Sequence, residues 1–254
     1  MEIFVINLDA SEDRLQNIKT ELEKLHLEFT RVPAVNGSAL TPSQLNVHYS
    51  PTLNKKSYRR PLSQGEIGCY LSHRLIWQEV VDQKLSMALV IEDDAELSEK
   101  LPNALSHIEQ ISFDWDMIKL SEPPRYKKRD SAINLDKETL LCQYRKIPST
   151  TTAYVISYKG AIKLLEARNL FGRPVDEDLQ FYWEYSGKIL GIEPSPICTS
   201  PISVNSIIDK NKSRKNTQTI FSKIKGPYLR LKYELKLMHH NRRRKKLSIE
   251  SLKH

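Results

Sequence analysis

The apolar pattern of the chain is sharpest at Met87–Glu96, MALVIEDDAE, where five apolar residues from Met87 to Ile91 run straight into Glu92, Asp93 and Asp94. A short unbroken apolar run rich in branched side chains reads as a strand covered on both faces of a parallel sheet. Ile3–Leu8 is a second such strand. Ser11 then offers a cap, and Leu15, Ile18, Leu22 and Leu25 recur at helical spacing. Phe29–Val35 returns as a strand, closed by the turn signal Asn36-Gly37. This β-α-β opening favours a right-handed crossover and a parallel sheet.

Residues 46–60 are polar and basic and hold no sustained period, so they read as a mobile loop with Lys55, Lys56, Arg59 and Arg60 as candidate anion contacts. Helical signals resume at Leu62. Ser63 and Glu66 have the spacing of a capping box, and Leu62 with Ile67 fits a hydrophobic staple. Ile67, Tyr70, Leu71, Leu75, Val80 and Val81 supply the buried face, and His73 lies on the same helix, which feeds the acidic strand. Leu101, Leu105, Ile108 and Ile111 predict another helix. Strands follow at Met117–Leu120, Thr139–Ile147, Ala153–Ser157 and within Lys188–Ile197, with a helix over Gly160–Ala167. Strands alternating with helices define an α/β fold.

In a doubly wound sheet, ligands sit beyond the carboxyl ends of the strands. The acids after Ile91 fall there, and so does the loop DASEDR after Leu8, which carries Asp13 and Arg14. Clustered carboxylates repel one another and are best tolerated around a cation. Mg²⁺ and Mn²⁺ favour such oxygens and keep positions open for phosphates. The competing reading is a solvated acidic turn. A second acidic group, Asp176, Glu177 and Asp178, follows Arg173-Pro174-Val175, with Asp176 as the expected N-cap of a helix.

Composition changes the picture in two places. The net charge of +8 is concentrated from Phe221 onward, where the balance is +9 against −1 for the first 220 residues. Gly226-Pro227 suits a helix start there. Tyr228, Leu231, Leu235 and Met238 form an apolar stripe beside Arg230, Lys232 and Lys236, followed by the basic cluster 242–246. Such a helix can lie on an anionic membrane or pack on the domain. The stripe, and the near-neutral remainder, argue against a nucleic-acid arm. Three widely spaced cysteines, Cys69, Cys142 and Cys198, read as free thiols in a reducing cytosol. MEIFVINLDA has neither the basic region of a signal peptide nor the roughly 20 apolar residues of a span.

INLDASEDRL near the start, LSQGEIGCYLSH at 62–73, VIEDDAEL at 90–97, TTAYVIS with GAIKLL at 151–165, and PVDEDL at 174–179 together resemble glycosyltransferase family 25 over residues 1–205. The resemblance implies a GT-A type nucleotide-sugar fold over 1–220 with a mostly parallel central sheet, followed by the basic helical tail 221–254. It implies a UDP-sugar donor carrying galactose or glucose, inversion at the anomeric carbon, and a divalent metal, Mn²⁺ or Mg²⁺. Asp94, with Glu92, is then the expected metal ligand, and Asp13, Arg14, His73, Glu92 and Asp93 are the expected donor-binding residues. Asp176 or Asp178 becomes the base that deprotonates the acceptor. Asn205 and Ser206, or Lys210 and Lys212, are candidates to close over the diphosphate; His239 and His240 are available as a further metal ligand, but their basic setting suggests surface or membrane contact instead. The family's collagen-modifying members are set against its bacterial branch, and the latter is expected here. The acceptor is then a lipid-linked lipopolysaccharide or lipooligosaccharide glycan, met in the cytoplasm or at the inner membrane's cytoplasmic face. A nucleotidyltransferase acting on sugar phosphates is the alternative, distinguished by release of pyrophosphate.

Overall fold

The structure is a computed structural model describing residues 1–123, 129–199 and 220–247. Eight strands form one sheet: β1 (Glu2–Asn7), β2 (Thr30–Pro33), β3 (Met87–Glu92), β5 (Met117–Lys119), β6 (Arg129–Asn134), β7 (Leu140–Tyr144), β8 (Ala153–Ser157) and β9 (Ile189–Glu193). Their order is β2-β1-β3-β8-β5-β9-β7-β6, while β4 (Ala95–Leu97) and β10 (Ile197–Thr199) pair as a separate ribbon. The expected parallel opening is present, since β1 pairs parallel with both β2 and β3. The sheet as a whole is mixed rather than mostly parallel in its pairings. β8 inserts antiparallel between β3 and β5, and β7 runs antiparallel to β6 and β9. β8 is followed directly by α6 (Tyr158–Ala167), and β7 enters from the short turn after β6; neither arrives by a crossover helix.

Strand alternation divides the core into two layers. Ile3, Val5, Leu89, Ile91 and Val155 face α1 (Glu12–Lys24) and α5 (Leu101–Glu109). Phe4, Ile6, Ala88, Val90, Tyr154 and Ile156 face α4 (Gln64–Asp82) and α6. Both faces of the central strands are therefore covered, which is why their sequences read as unbroken apolar runs. The carboxyl ends of β1, β3 and β5 share an edge with residues 151 and 152, which precede β8: Ile6 is level with Glu92, Ile91 with Ala153, and Lys119 with Tyr154.

The capping box at Ser63 and Glu66 is formed, with Glu66 also held by Arg60 at 2.6 Å. Two glycines let this end of α4 approach the turn after β2. A Cβ on Gly68 would lie 2.4 Å from the Val35 carbonyl oxygen, and one on Gly37 would lie 1.8 Å from that of Gln64. Several local expectations are corrected. Residues 46–60 are not a loop throughout, because α3 (Pro51–Ser57) forms, capped by Ser50 with Pro51 in its first turn. Its buried Asn54 donates to the carbonyls of Arg60 and Gly172, anchoring a helix too short to reveal a period. A further short helix, α2 (Pro42–Asn46), carries its own capping box at Thr41. Ser11 flanks α1 but makes no side-chain cap.

The terminal helix α8 (Ile220–Arg243) begins upstream of Pro227, which lies inside it rather than at its start. Tyr233 and Leu237 are buried in the core layer of α4 and α6, whereas Tyr228, Leu231, Leu235 and Met238 stay exposed. Residues 233 and 237 stand on the face opposite 228, 231, 235 and 238 at 100° per residue, so α8 has two apolar faces and packs with one. No helix among the described residues is long and apolar enough to cross a membrane.

Candidate active site

The site lies where β3 gives way to the turn before β4. Glu92 ends β3, and its Oε1 is 3.2 Å from Nε2 of His73, which is fully buried on α4. Nδ1 of His73 is 2.9 Å from the Tyr154 hydroxyl, which accepts from Trp77 Nε1 at 2.9 Å. A carboxylate can only accept, so Nε2 carries a proton. In the neutral ring Nδ1 then accepts from Tyr154. Trp77, Tyr154, His73 and Glu92 are thus joined in one hydrogen-bonded chain. Burial is the largest influence on Glu92 and pushes its carboxyl up. The His73 hydrogen bond and charge, Thr151 and Lys119 outweigh it and hold the group below its ordinary value.

Asp93 is used differently. Asn7 Nδ2 donates to it at 2.8 Å and Arg14 Nη1 at 3.3 Å, tying the turn to the β1–α1 unit. Asn7 is itself oriented by Arg31 Nε at 3.0 Å. Arg14 is thereby brought to the acids, while Asp13 stands exposed in the first turn of α1.

The second acidic group arrives on α7 (Val175–Asp178), whose N-cap is Pro174; Asp176 is inside the first turn and does not cap it. The two aspartates have different surroundings. Asp178 is buried and bound by Tyr70 Oη at 2.7 Å, Arg173 Nη1 at 2.6 Å and Arg168 Nε at 2.9 Å. Both arginines also hold Glu184 at 2.9 Å. Asp178 therefore fastens α7 to α4. The Asp176 carboxyl is pushed up to about 6, first by burial and then by repulsion from Glu177 and Glu92; the Glu177 backbone N–H and Lys119 pull the other way.

Cys69 feels the charges of three of these carboxylates. Its thiol is pushed well above its ordinary value by desolvation first, then by the charges of Glu92, Asp176 and Asp94. Lys119 is buried in the same region, donating to the Thr150 carbonyl oxygen. Burial pushes its ammonium down to about 8, against the pull of Asp176 and Glu92. Cys69, His73 and Trp77 are four residues apart and share one face of α4. Sequence reasoning missed Cys69, Lys119, Thr151 and Tyr154. The available signals were that stripe and a lysine inside the apolar run Met117–Leu120, where an unpaired charge would be costly.

Ligand atoms of Cys69, His73 and Glu92 lie within 4.8 Å of one another. The commitment of His73 Nε2 to Glu92 counts against this trio as a soft-metal set. The carboxylates of Glu92 and Asp94, close enough to act together on Cys69, are the oxygen donors that a hard divalent ion takes. Of the other expected contacts, His240 stacks on Trp183 at 5.2 Å between ring centres, and His239 is exposed beside it. Asn205, Ser206, Lys210 and Lys212 lie outside the described residues.

Comparison with known proteins supplies the family. The sequence profile of glycosyltransferase family 25 (LPS biosynthesis protein) matches residues 1–179. The chain is 38% identical over 188 residues to procollagen galactosyltransferase 2 of Homo sapiens, covering 70% of this chain and 29% of that protein. It is 34% identical over 187 residues to procollagen galactosyltransferase 1 of Danio rerio, covering 70% and 30%. An inactive glycosyltransferase 25 family member 3 of Homo sapiens is 31% identical over 191 residues, covering 72% and 32%. The chain belongs to glycosyltransferase family 25. It spans under a third of the length of these curated relatives. Among solved structures, 4-diphosphocytidyl-2C-methyl-D-erythritol synthase from Anaerococcus prevotii aligns at a TM-score of 0.36 and 15% identity, covering 84% of this chain and 79% of that one, which is too distant to carry an argument.

The different surroundings of the two aspartates yield a direct expectation. Asp178→Asn leaves two buried arginines sharing Glu184 alone, and removing one partner from a buried ion pair costs about 3 kcal/mol. Denaturant unfolding should show that loss for Asp178→Asn and less than 1 kcal/mol for Asp176→Asn. Equal, small effects would contradict the structural role of Asp178.

Proposed function

We propose that the chain is an active, inverting, metal-dependent transferase. It moves a hexose, galactose or glucose, from a UDP-sugar to an acceptor glycan of the lipopolysaccharide or lipooligosaccharide type. The observation that carries this reading is Asp176, whose carboxyl is pushed up to about 6 by burial first and then by the charges of Glu177 and Glu92, with Lys119 opposing. A general base works best with a pKa near the working pH. Asp176 is then the base that takes the proton of the acceptor hydroxyl, and Asp178 holds α7, the helix that carries it.

Glu92 and Asp94 would hold Mn²⁺ or Mg²⁺. When bound, the ion supplies Lewis-acid neutralisation of the charge growing on the departing diphosphate. His73, Thr151 and Lys119 keep Glu92 ionised for that task. Arg14, half exposed and paired with Asp93, would meet the nucleotide. The sheet with ligand groups at its carboxyl edge supports a GT-A type assignment. The donor sugar follows the relatives named as galactosyltransferases, and the acceptor follows the family's description as LPS biosynthesis proteins.

The exposed face of α8 favours a location at the cytoplasmic surface of an anionic membrane. Tyr228, Leu231, Leu235 and Met238 form an unpacked apolar stripe with Lys232 and Lys236 beside it. Apolar contact combined with nearby lysine or arginine, each adding about 1 kcal/mol, is how such helices bind. Replacing Leu231 and Leu235 with Ser should weaken binding to phosphatidylglycerol vesicles at least tenfold without unfolding the protein. Unchanged vesicle binding would remove the membrane from the account.

The base assignment has a pH signature. Asp176 must be ionised to act, so kcat/KM with UDP-galactose should fall about tenfold per pH unit below about 6. Asp176→Asn should lower kcat by about 10²- to 10⁴-fold while donor binding persists. Near-normal turnover in that variant would place the base elsewhere, and release of no UDP by the unaltered protein would refute the transferase reading itself.

A further inference from the structure

Asp93 and Asp94 alone separate the end of β3 at Glu92 from the start of β4 at Ala95. β4 pairs with β10 and not with β3, so no ladder between the flanking strands holds this turn in shape. Its backbone is tied at two points: the Glu92 N–H donates to the Thr152 carbonyl at 2.8 Å, and the Asp93 N–H to the Ile6 carbonyl at 3.1 Å. The remaining anchor is a side chain, that of Asn7 at the end of β1. Asn7 is almost fully buried, and its whole amide is engaged. Oδ1 accepts from Arg31 Nε at 3.0 Å, while Nδ2 donates to the Ser11 carbonyl at 2.9 Å and to Asp93 Oδ2 at 2.8 Å. A guanidinium N–H only donates, and carbonyls and carboxylates only accept, so all three partners agree on one orientation of the amide.

One side chain therefore fastens the acidic turn to the carbonyl that opens α1. Arg14 lies in the first turn of that helix and donates to the other Asp93 oxygen, Oδ1, at 3.3 Å. Both oxygens of Asp93 are thus engaged within the protein, on either side of a residue pair assigned to the ion. We infer that Asn7 is a positioning residue for the divalent ion: by holding Asp93 it fixes the turn from which Glu92 and Asp94 present their oxygens. The inference rests on the reading that Glu92 and Asp94 hold that ion. Groups one step behind metal ligands orient them, and losing one typically costs about 10- to 100-fold in metal affinity. A short primary amide is what the place demands, because it supplies two donors and an acceptor together. An aspartate of the same shape would keep Arg31 but set a carboxylate against both the Ser11 carbonyl and Asp93.

The test titrates Mn²⁺ into the full chain and follows the free ion by electron paramagnetic resonance, at about pH 8 so that facing carboxylates stay ionised. Asn7→Asp adds a negative charge near a cation site, and charge alone would tighten Mn²⁺ binding. Positioning predicts the opposite sign, a loss of at least about tenfold. The neutral variant Asn7→Ser, too short to reach Asp93, should lose about as much. Combining Asn7→Asp with Asp93→Asn again sets a donor against an acceptor, with the roles exchanged, and leaves an amide oxygen for Arg14. That double variant should bind Mn²⁺ at least about fivefold more tightly than Asn7→Asp alone, although it carries one negative charge fewer. A general loss of packing would give no such rescue. Mn²⁺ binding that tightens in Asn7→Asp, or that is no better in the double variant, would overturn the inference and leave the ion with Glu92 and Asp94. Absence of Mn²⁺ binding by the unaltered protein would refute the metal reading itself, and the role of Asn7 with it.

Discussion

Mutual repulsion among carboxylates at one sheet edge is the constraint on which the rest of this structure turns. Glu92, Asp94 and Asp176 are all close enough to raise the Cys69 thiol, and Glu92 also raises Asp176. Buried like charges cost free energy unless something opposes them. The fold answers unequally. Glu92 receives a proton donor from His73 and the field of Lys119, and stays ionised. Asp176 receives less, and its affinity for a proton rises toward neutrality. Two carboxylates with separated tendencies are what a metal ligand and a base require of one site.

This arrangement depends on distant packing. α4 presents Cys69, His73 and Trp77 on one face, and its first turns are seated by the glycine contacts at Gly37 and Gly68 and by the Arg60–Glu66 pair. Tyr70 of the same helix donates to Asp178 and so links α4 to α7. The aspartate that is best bound is thus the scaffold, and the one left poorly compensated is the candidate for chemistry. Phosphoryl-bearing ligands would meet cations that are already engaged, Arg14 with Asp93 and Lys119 with the Thr150 carbonyl oxygen.

Much of this was legible in the chain. The buried strands within Ile3–Asn7 and Met87–Ile91 announced themselves through nearly continuous apolar runs, because both sheet faces are covered. The Ser63–Glu66 box located α4, and five short motifs in fixed order indicated the family. What escaped depends on contacts between distant segments. The antiparallel insertion of β8 follows from tertiary pairing, to which a local period is blind. α3 is held by Asn54 reaching Gly172, 118 residues away. Asp176 and Asp178 are indistinguishable in PVDEDL, and only Arg168, Arg173 and Tyr70 separate them. In α8 the stripe read from the sequence is real, yet it faces outward, because Tyr233 and Leu237 on the opposite face fill the gap beside Phe181 and Trp183.

The central claim is that carboxylates gathered at the end of β3 hold a divalent ion that in turn holds a nucleoside diphosphate. Linkage between the two ligands tests it without turnover, since each must raise the affinity of the other by the same factor. Calorimetric titration of UDP into the protein, with and without Mn²⁺, measures that factor directly. The account predicts that Mn²⁺ tightens UDP binding at least tenfold and that Asp94→Asn removes the effect. Equal UDP affinity with and without the metal would contradict it.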